Sequence, residues 1–180
     1  MPTFSVLLVL KNRSQHTHRL MNIWEQEKFP YKILIADGGN DKDLEQTLAD
    51  KSNFPNVNYE YIKYPFDDSL KQFYAKMSDA VMRIDTDTVS VMDNDDNISI
   101  QGIEKCLEIL KDDSYSSARG LMSDTTGRNM YKQFPDSIIE ETAAERMISQ
   151  TKRFHGNWHN ITRTNHIQAE WRSIEVVSPN

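Results

Sequence analysis

The sequence contains a single cysteine, Cys106, among its 180 residues. One cysteine cannot form an internal disulfide, and without a cluster of cysteines the chain has no cysteine-based structural zinc site. These absences favour a reducing environment, so we expect a cytoplasmic protein.

Long apolar runs and basic blocks are also absent. The apolar segment from Phe4 to Leu10 is too short to cross a bilayer, which takes about 20 residues of helix. No charged region precedes it, as one would in a signal peptide. The net charge is −6 and no Lys/Arg-rich block occurs, which argues against a general nucleic-acid binder. A nucleotide ligand stays compatible, because a metal ion can bridge acidic side chains to phosphates.

Four short apolar runs predict buried strands, and the segments between them predict helices. We expect strands at 4–10, 32–36, 57–63 and 88–92. We expect helices at 15–29, from a cap at Asp41 to Ala49, and from a cap at Asp67 or Asp68 to about Arg83. Ser14 is a suitable N-cap for the first helix. The alternation predicts an α/β fold with a mostly parallel sheet in the order 3-2-1-4 and helices on both faces. In such a sheet the ligand crevice lies at the carboxyl ends of the strands, where the order reverses.

The second part of the chain has weaker patterns. It predicts a helix at 99–111, a strand at 115–121, a polar loop or hairpin at 123–134 that turns at Gly127, and a helix capped by Asp136 or Ser137 that ends near Arg153. We assign no element to residues 155–180.

The acidic run Asp93-Asn94-Asp95-Asp96 directly follows the fourth strand. With no basic residue between them, the carboxylates of Asp93 and Asp95 repel each other unless a cation neutralises them. Such hard oxygen ligands select Mg²⁺ or Mn²⁺, which completes its coordination with water and substrate phosphates. We therefore predict a divalent-metal site that binds a nucleotide diphosphate.

Two other interpretations compete with the metal site. The first is an acidic surface loop in which Asp96 and Asn97 only cap the next helix. The second is an EF-hand calcium loop, although Ile98 stands where that loop needs glycine and a strand precedes it instead of a helix. The residues that match positions 1, 3, 5, 8 and 12 of the calcium pattern are Asp93, Asp95, Asn97, Ile100 and Glu104.

The order of these motifs over residues 4 to 120 resembles the amino-terminal part of the family 2-like glycosyltransferases, which have the Rossmann-like GT-A fold. Asn12-Arg13 stands where that family often has Asn-Arg after its first strand. Asp37-Gly38-Gly39 resembles the family's Asp-Asp-Gly-Ser turn, with Ala36 in place of the first Asp. Asp93-Asn94-Asp95-Asp96 resembles its Asp-x-Asp-Asp motif.

The resemblance implies a role for the turns after the first two strands. Asp37 is expected to contact the nucleotide base, which we take to be uracil. Lys11 and Asn12 are expected to border that base.

The resemblance also implies how the diphosphate and the metal are held. Asp93 is expected to meet the ribose or the metal, and Asp95 is expected to ligate the metal directly. Such enzymes often carry an Arg-Asn pair that helps to hold the diphosphate. Lys76 is the basic residue that stands in that region here, so it is the expected phosphate contact.

The implied activity is transfer of a sugar from a nucleotide-diphosphate donor, expected to be a UDP-sugar, to an acceptor hydroxyl on a glycan or another acceptor. The implied cofactor is Mn²⁺ or Mg²⁺. We treat residues 1–180 as one domain, in which 1–120 bind the nucleotide-sugar. Residues 121–180 are expected to form a partial acceptor-side region, in a chain that is either the front part of a longer protein or a domain without the full acceptor half.

The acceptor side leaves two alternatives open. No catalytic base can be assigned, since Asp124, Glu140 and Glu141 are the only candidates and none stands out. This favours a non-catalytic or truncated nucleotide-sugar-binding module as one alternative. The other is a sugar-phosphate nucleotidyltransferase, which usually has a Gly-rich basic loop after its first strand, whereas Lys11 to Ser14 contains no glycine.

Overall fold

The computed structural model describes residues 1–120, 123–128, 142, 144, 145 and 160–173. Its strands are β1 Phe4–Leu10, β2 Lys32–Asp37, β3 Tyr59–Lys63, β4 Thr88–Met92, β5 Ser117–Ala118 and β6 Ile161–Arg163. Its helices are α1 Ser14–Glu27, α2 Lys42–Ala49, α3 Leu70–Met82, α4 Ile100–Ile109 and α5 Thr164–Ser173, with a 3-10 turn at Lys51–Asn53.

The described strands form one sheet in the order β3-β2-β1-β4-β6-β5. β1 to β4 are mutually parallel, whereas β6 is antiparallel to β4 and β5 is antiparallel to β6. The predicted order 3-2-1-4 is confirmed, and the order reverses between β1 and β4. Leu10, Asp37 and Lys63 are in register, so the carboxyl ends of β1, β2 and β3 lie level with one another.

Side chains that alternate along the strands build a core on each face of the sheet. On one face, Val6 and Leu8 of β1 belong to a cluster with residues of α1, α2 and α4. On the other face, Leu7 of β1 belongs to a second cluster with residues of α3 and α5. Helices therefore cover both faces, as the apolar strands predicted, and the carboxyl edge of the sheet is left for a ligand site.

Two helix starts differ from the prediction. Ser14 is the first residue of α1 rather than its cap, because Arg13 takes the cap position with a left-handed backbone and no side-chain cap bond. Neither Asp67 nor Asp68 caps α3, because Ser69 does so by accepting a backbone N–H of the first turn. Asp67 is thereby left for a different role.

The second part of the chain extends the sheet beyond the predicted strands. β5 is shorter than the strand predicted at 115–121, and β6 and α5 were not predicted. Gly127 has a φ of 81°, as the predicted turn requires. The helix predicted to end at Arg153 lies outside the described residues, apart from positions 142, 144 and 145. Within the described ranges, no helix is long and apolar enough to cross a membrane.

Candidate functional site

The turns after β1 and β2 are locked against each other. Asn12 and Arg13 both have a φ of 60°, so two consecutive non-glycine residues occupy the left-handed region. The Asn12 Oδ1 atom accepts the backbone N–H of Asn40 at 2.9 Å. A Cβ atom on Gly39 would lie 2.7 Å from the backbone nitrogen of Asn12, so only glycine permits this approach.

The acidic turn after β4 is attached to the β1 turn through Asn94. This side chain is 3% exposed. Its Nδ2 atom donates to Thr17 Oγ1 at 2.9 Å, to the Arg13 carbonyl at 3.2 Å and to the Asn12 carbonyl at 3.4 Å. The second residue of the acidic run is therefore a structural clamp, a role that the sequence pattern did not predict.

The carboxylates on either side of that clamp are accessible. Asp93 is exposed, and its side chain makes no hydrogen bond or ion pair with any other residue that the structure describes. Asp95 accepts Arg13 Nη2 at 2.5 Å, and its backbone carbonyl accepts Arg19 Nη2 at 2.5 Å. Burial acts to raise the pKa of Asp95, but the hydrogen bond from Arg13, a backbone hydrogen bond at Asp95 and the charge of Arg13 together hold that pKa below its ordinary value. An arginine therefore partly neutralises a carboxylate that was predicted to be a metal ligand.

Asp37 lies beneath the exposed edge at the end of β2. It is 2% exposed. Its Oδ1 atom accepts the backbone N–H of Gly39 at 2.7 Å, its Oδ2 atom accepts the Tyr61 hydroxyl at 2.7 Å, and Lys63 Nζ lies 3.7 Å from Oδ2. Burial, followed by the hydrogen bond to Asp37, raises the pKa of the Tyr61 hydroxyl, which therefore stays protonated as a donor. Asp37 thus stabilises the turn after β2 from its buried side.

Lys76 is also interior. Its Nζ atom donates to Asp67 Oδ2 at 2.5 Å and to the Leu10 carbonyl at 2.9 Å, and the side chains of Lys76 and Asp67 are 1% and 2% exposed. Burial lowers the pKa of Lys76, and the Asp67 carboxylate opposes that shift. The Asp67 carboxyl lies against Gly38, where a Cβ atom would approach it to 2.4 Å. The ammonium therefore lies below the surface that a diphosphate would touch.

An exposed aromatic residue that was not predicted as a site residue lies at the same edge. Phe66, in the loop after β3, is 40% exposed, and Lys11 Nζ lies 5.4 Å from the centroid of its ring. The pair Pro65-Phe66, two positions after the end of the predicted third strand, is the sequence signal for it, since loops at this edge carry ligand-binding residues. The structure thus gathers Lys11, Asn12, Asp93 and Asp95 at one exposed edge and places Asp37 and Lys76 beneath it.

The EF-hand interpretation does not fit the loop. A strand, β4, leads into it, and the Asn97 Oδ1 atom accepts both Trp24 Nε1 at 3.2 Å and the backbone N–H of Ile98 at 2.9 Å. The ranges that the structure describes contain no group of three or more His, Cys, Asp or Glu residues that could hold a metal ion. A cation at Asp93 and Asp95 would therefore need ligands from water and a substrate, which is how Mg²⁺ and Mn²⁺ bind beside phosphates.

One candidate base lies within the described residues. The Asp124 Oδ1 atom accepts the backbone N–H groups of Thr126 and Arg128 at 2.9 and 3.0 Å, so this carboxylate closes a turn. Glu140 and Glu141 lie outside the described residues.

Comparison with solved structures identifies the fold. A crystal structure of residues 1–349 of TarS from S. aureus has a TM-score of 0.62 and 19% sequence identity, over 93% of this chain and 49% of that one. The same TarS fragment matches as well in its complexes with UDP and with UDP-GlcNAc. The mannosyltransferase PcManGT from Pyrobaculum calidifontis, in complex with GDP-Man and Mn²⁺, has a TM-score of 0.52 and 13% identity, over 64% of this chain and 34% of that one.

No family model and no curated protein matches the sequence. The chain spans about half the length of the TarS fragment and about a third of the mannosyltransferase. At these identities the likeness establishes architecture, and it agrees with the sheet order and with the exposed carboxyl edge described above. The chain has the GT-A fold of the glycosyltransferases.

Proposed function

We propose that this chain is the donor-binding part of a glycosyltransferase that transfers a sugar from a nucleotide diphosphate, with a UDP-sugar as the expected donor. The observation that carries the proposal is the pair of accessible carboxylates, Asp93 and Asp95, beside the Asn12-Arg13 turn at the point where the strand order reverses. This is where open α/β sheets bind ligands. The TarS structures with UDP and UDP-GlcNAc support the choice of donor class.

Asp93 and Asp95 fit a divalent cation that shares its coordination with a diphosphate. Two carboxylates are enough for Mg²⁺ or Mn²⁺ when phosphates and water supply the other ligands. The PcManGT complex, which contains Mn²⁺, supports this assignment. Such an ion would offset the negative charge on the departing diphosphate.

The other residues at this edge would have different roles, according to whether they are exposed or buried. Lys11 and the exposed ring of Phe66 offer a cation and an apolar face at the mouth of the site, which suits a nucleotide base. Asp37, which is buried and already holds Gly39 and Tyr61, would border the base through the turn that it shapes. Lys76 would support the site from beneath, because it is buried. Arg13 would therefore contact the phosphates directly in place of Lys76.

Metal-dependent nucleotide binding provides the first test. Isothermal titration calorimetry measures the affinity for UDP. We expect the protein to bind UDP in the presence of Mn²⁺ and to bind it much more weakly in EDTA. Asp93→Asn and Asp95→Asn should each weaken binding by at least about tenfold, because a charged ligand contact is worth more than about 1.4 kcal/mol.

Asp85→Asn is a matched control for these variants. Asp85 also pairs with one basic residue, Lys32, but it lies at the opposite edge of the sheet. Its replacement should leave UDP affinity unchanged. UDP binding that is indifferent to Mn²⁺, or unchanged by Asp95→Asn, would overturn the metal-site proposal.

The second candidate function is a module that binds the nucleotide-sugar without turnover. It is favoured by Asp124, the candidate base in the described part of the chain, because its carboxylate is used within its own turn. A transfer and hydrolysis assay with several UDP-sugars separates the two functions. Binding without any turnover would favour the module.

A further inference from the structure

The acidic turn has a basic partner within the protein. Arg13 Nη2 lies 2.5 Å from Asp95 Oδ2, and the two side chains are 49% and 41% exposed. The guanidinium therefore holds the carboxylate on which the proposed metal site depends. Arg19 adds a second positive charge nearby, but it bonds to the backbone carbonyl of Asp95 and not to the carboxylate.

The position of Arg13 is imposed by the fold. Arg13 has a φ of 60°, and so does Asn12 directly before it. Non-glycine residues keep this left-handed conformation only where contacts with the surrounding structure hold the backbone in place. The buried amide of Asn94 supplies that constraint by bonding to the carbonyls of both residues. The backbone of Arg13 is thus fixed beside Asp95, while half of its side chain remains in solvent.

The energy of the pair suits an exchange of partners. An ion pair between half-exposed side chains contributes only about 0–1 kcal/mol, so its rupture costs little. A guanidinium also binds phosphate with paired N–H donors, in a geometry that lysine cannot match. Release of Asp95 and capture of a phosphate by Arg13 would therefore proceed with little loss.

We propose that Arg13 is the resident counter-ion of Asp95 and exchanges that carboxylate for the donor diphosphate when the divalent cation binds. This inference rests on the proposed donor site. In the free protein Arg13 competes with the cation for Asp95. With the diphosphate present the guanidinium moves to the phosphates and Asp95 becomes a metal ligand. Metal and nucleotide then each raise the affinity for the other, and this reciprocity is required by thermodynamic linkage.

The test measures this coupling in the full chain. The dissociation constant of Mn²⁺ is measured by electron paramagnetic resonance with and without UDP, and that of UDP by calorimetry with and without Mn²⁺. For the unaltered protein we expect each ligand to raise the affinity for the other by about 5- to 150-fold, the usual range of coupling between sites.

Arg13→Gln should change the two affinities in opposite directions. We expect Mn²⁺ alone to bind roughly three- to tenfold more tightly, because a positive charge next to its ligand is gone. UDP should bind more weakly, and the coupling should fall to the part that comes from direct coordination of the diphosphate by the ion. Arg13→Lys keeps the charge and should leave the affinity for Mn²⁺ alone close to that of the unaltered protein. If Arg13→Gln fails to fold, Arg13→Asn replaces it, because asparagine tolerates a left-handed backbone.

Two further variants make the result specific. Arg19→Gln removes a charge that contacts only the backbone of Asp95, so its effect on Mn²⁺ affinity should be clearly smaller than that of Arg13→Gln. Arg83→Gln removes a surface arginine paired with Asp79 and should change neither affinity. The inference is overturned if Arg13→Gln leaves both the Mn²⁺ affinity and the coupling unchanged while Asp95→Asn abolishes Mn²⁺ binding. Failure of the unaltered protein to bind UDP with Mn²⁺ would instead overturn the proposed function.

Discussion

Two ion pairs at the carboxyl edge of the sheet have the same length and different surroundings. Lys76 Nζ and Asp67 Oδ2 are 2.5 Å apart, as are Arg13 Nη2 and Asp95 Oδ2. The first pair is 1% and 2% exposed, and the second is 49% and 41% exposed. Their burial, and not their length, therefore determines what each pair does.

A buried charge that loses its partner stays buried and unpaired, whereas an exposed charge is taken up by water. Breaking a buried pair therefore costs about 3–5 kcal/mol of stability, whereas breaking an exposed pair costs about 0–1 kcal/mol. The Lys76–Asp67 pair accordingly ties the end of β1 to the loop before α3. The Arg13–Asp95 pair can open for a ligand.

Lys76→Met should give the largest loss of stability. It leaves the Asp67 carboxylate buried without its ammonium, and we expect the free energy of unfolding to fall by about 3–5 kcal/mol. Urea denaturation followed by circular dichroism measures it. Lys71→Met, which replaces an exposed lysine on the same helix, should change stability by less than about 0.5 kcal/mol. A loss below about 1 kcal/mol for Lys76→Met would contradict the structural role of the buried pair.

Gly38→Ala should be next in size. Its new Cβ atom would lie 2.4 Å from the Asp67 carboxyl, which Lys76 holds in place, so the backbone must shift. We expect a loss of about 1–3 kcal/mol in the same denaturation experiment. Gly120→Ala is the control, because a Cβ there meets no atom of the described residues within 4 Å. Equal effects of the two substitutions would show that the approach of Asp67 to Gly38 does not matter.

Asn94→Asp tests the clamp under the exposed pair. The new side chain has the same size but, when ionised, no N–H donor, so it would turn an acceptor towards the carbonyls of Asn12 and Arg13. We expect a loss of about 1–3 kcal/mol. Asn97→Asp in the same turn should cost little, because the Asn97 side chain acts only as an acceptor for Trp24 and Ile98. The comparison fails if Asn97→Asp costs as much as Asn94→Asp.

The exposed pair should have the smallest effect on stability. In a double-mutant cycle of Arg13→Gln and Asp95→Asn, we expect a coupling free energy of about 0–1 kcal/mol from denaturation. The two single variants should nevertheless change ligand binding, as described above. A coupling above about 2 kcal/mol would mean that the pair is structural and not free to exchange.

Much of the fold could be predicted because its determinants are local. The apolar runs of β1 to β4 and the glycines after β2 are legible in short segments of sequence. β6 could not be predicted in the same way, because it has three residues and depends on distant contacts. Among these, Arg163 donates to the backbone carbonyls of Leu110, Asp112 and Tyr115, which are about fifty positions away in the chain.

The location of the candidate site could be predicted from the sequence, but the contacts of its individual residues could not. Strand ends and acidic residues located the edge, since parallel strands bring their carboxyl ends together. The interior position of Lys76 was missed, although this lysine lies in the apolar stripe of α3 with Met77, Ala80 and Val81. A lysine within such a stripe indicates a buried partner. The partner, Asp67, resembled a helix cap, and only the tertiary fold distinguishes the two roles.

The proposed function requires a nucleotide diphosphate and a divalent cation to bind at the carboxyl edge, against the acidic turn. Paramagnetic broadening by Mn²⁺ in the presence of UDP, read from amide resonances of the labelled protein, detects an ion bound there. We predict loss of signal at Asn12, Gly39 and Asp95, and unchanged signals at Asp85 and Asp87 on the opposite edge. Broadening centred on Asp85 and Asp87, or no UDP-dependent broadening at the acidic turn, would contradict the proposed function.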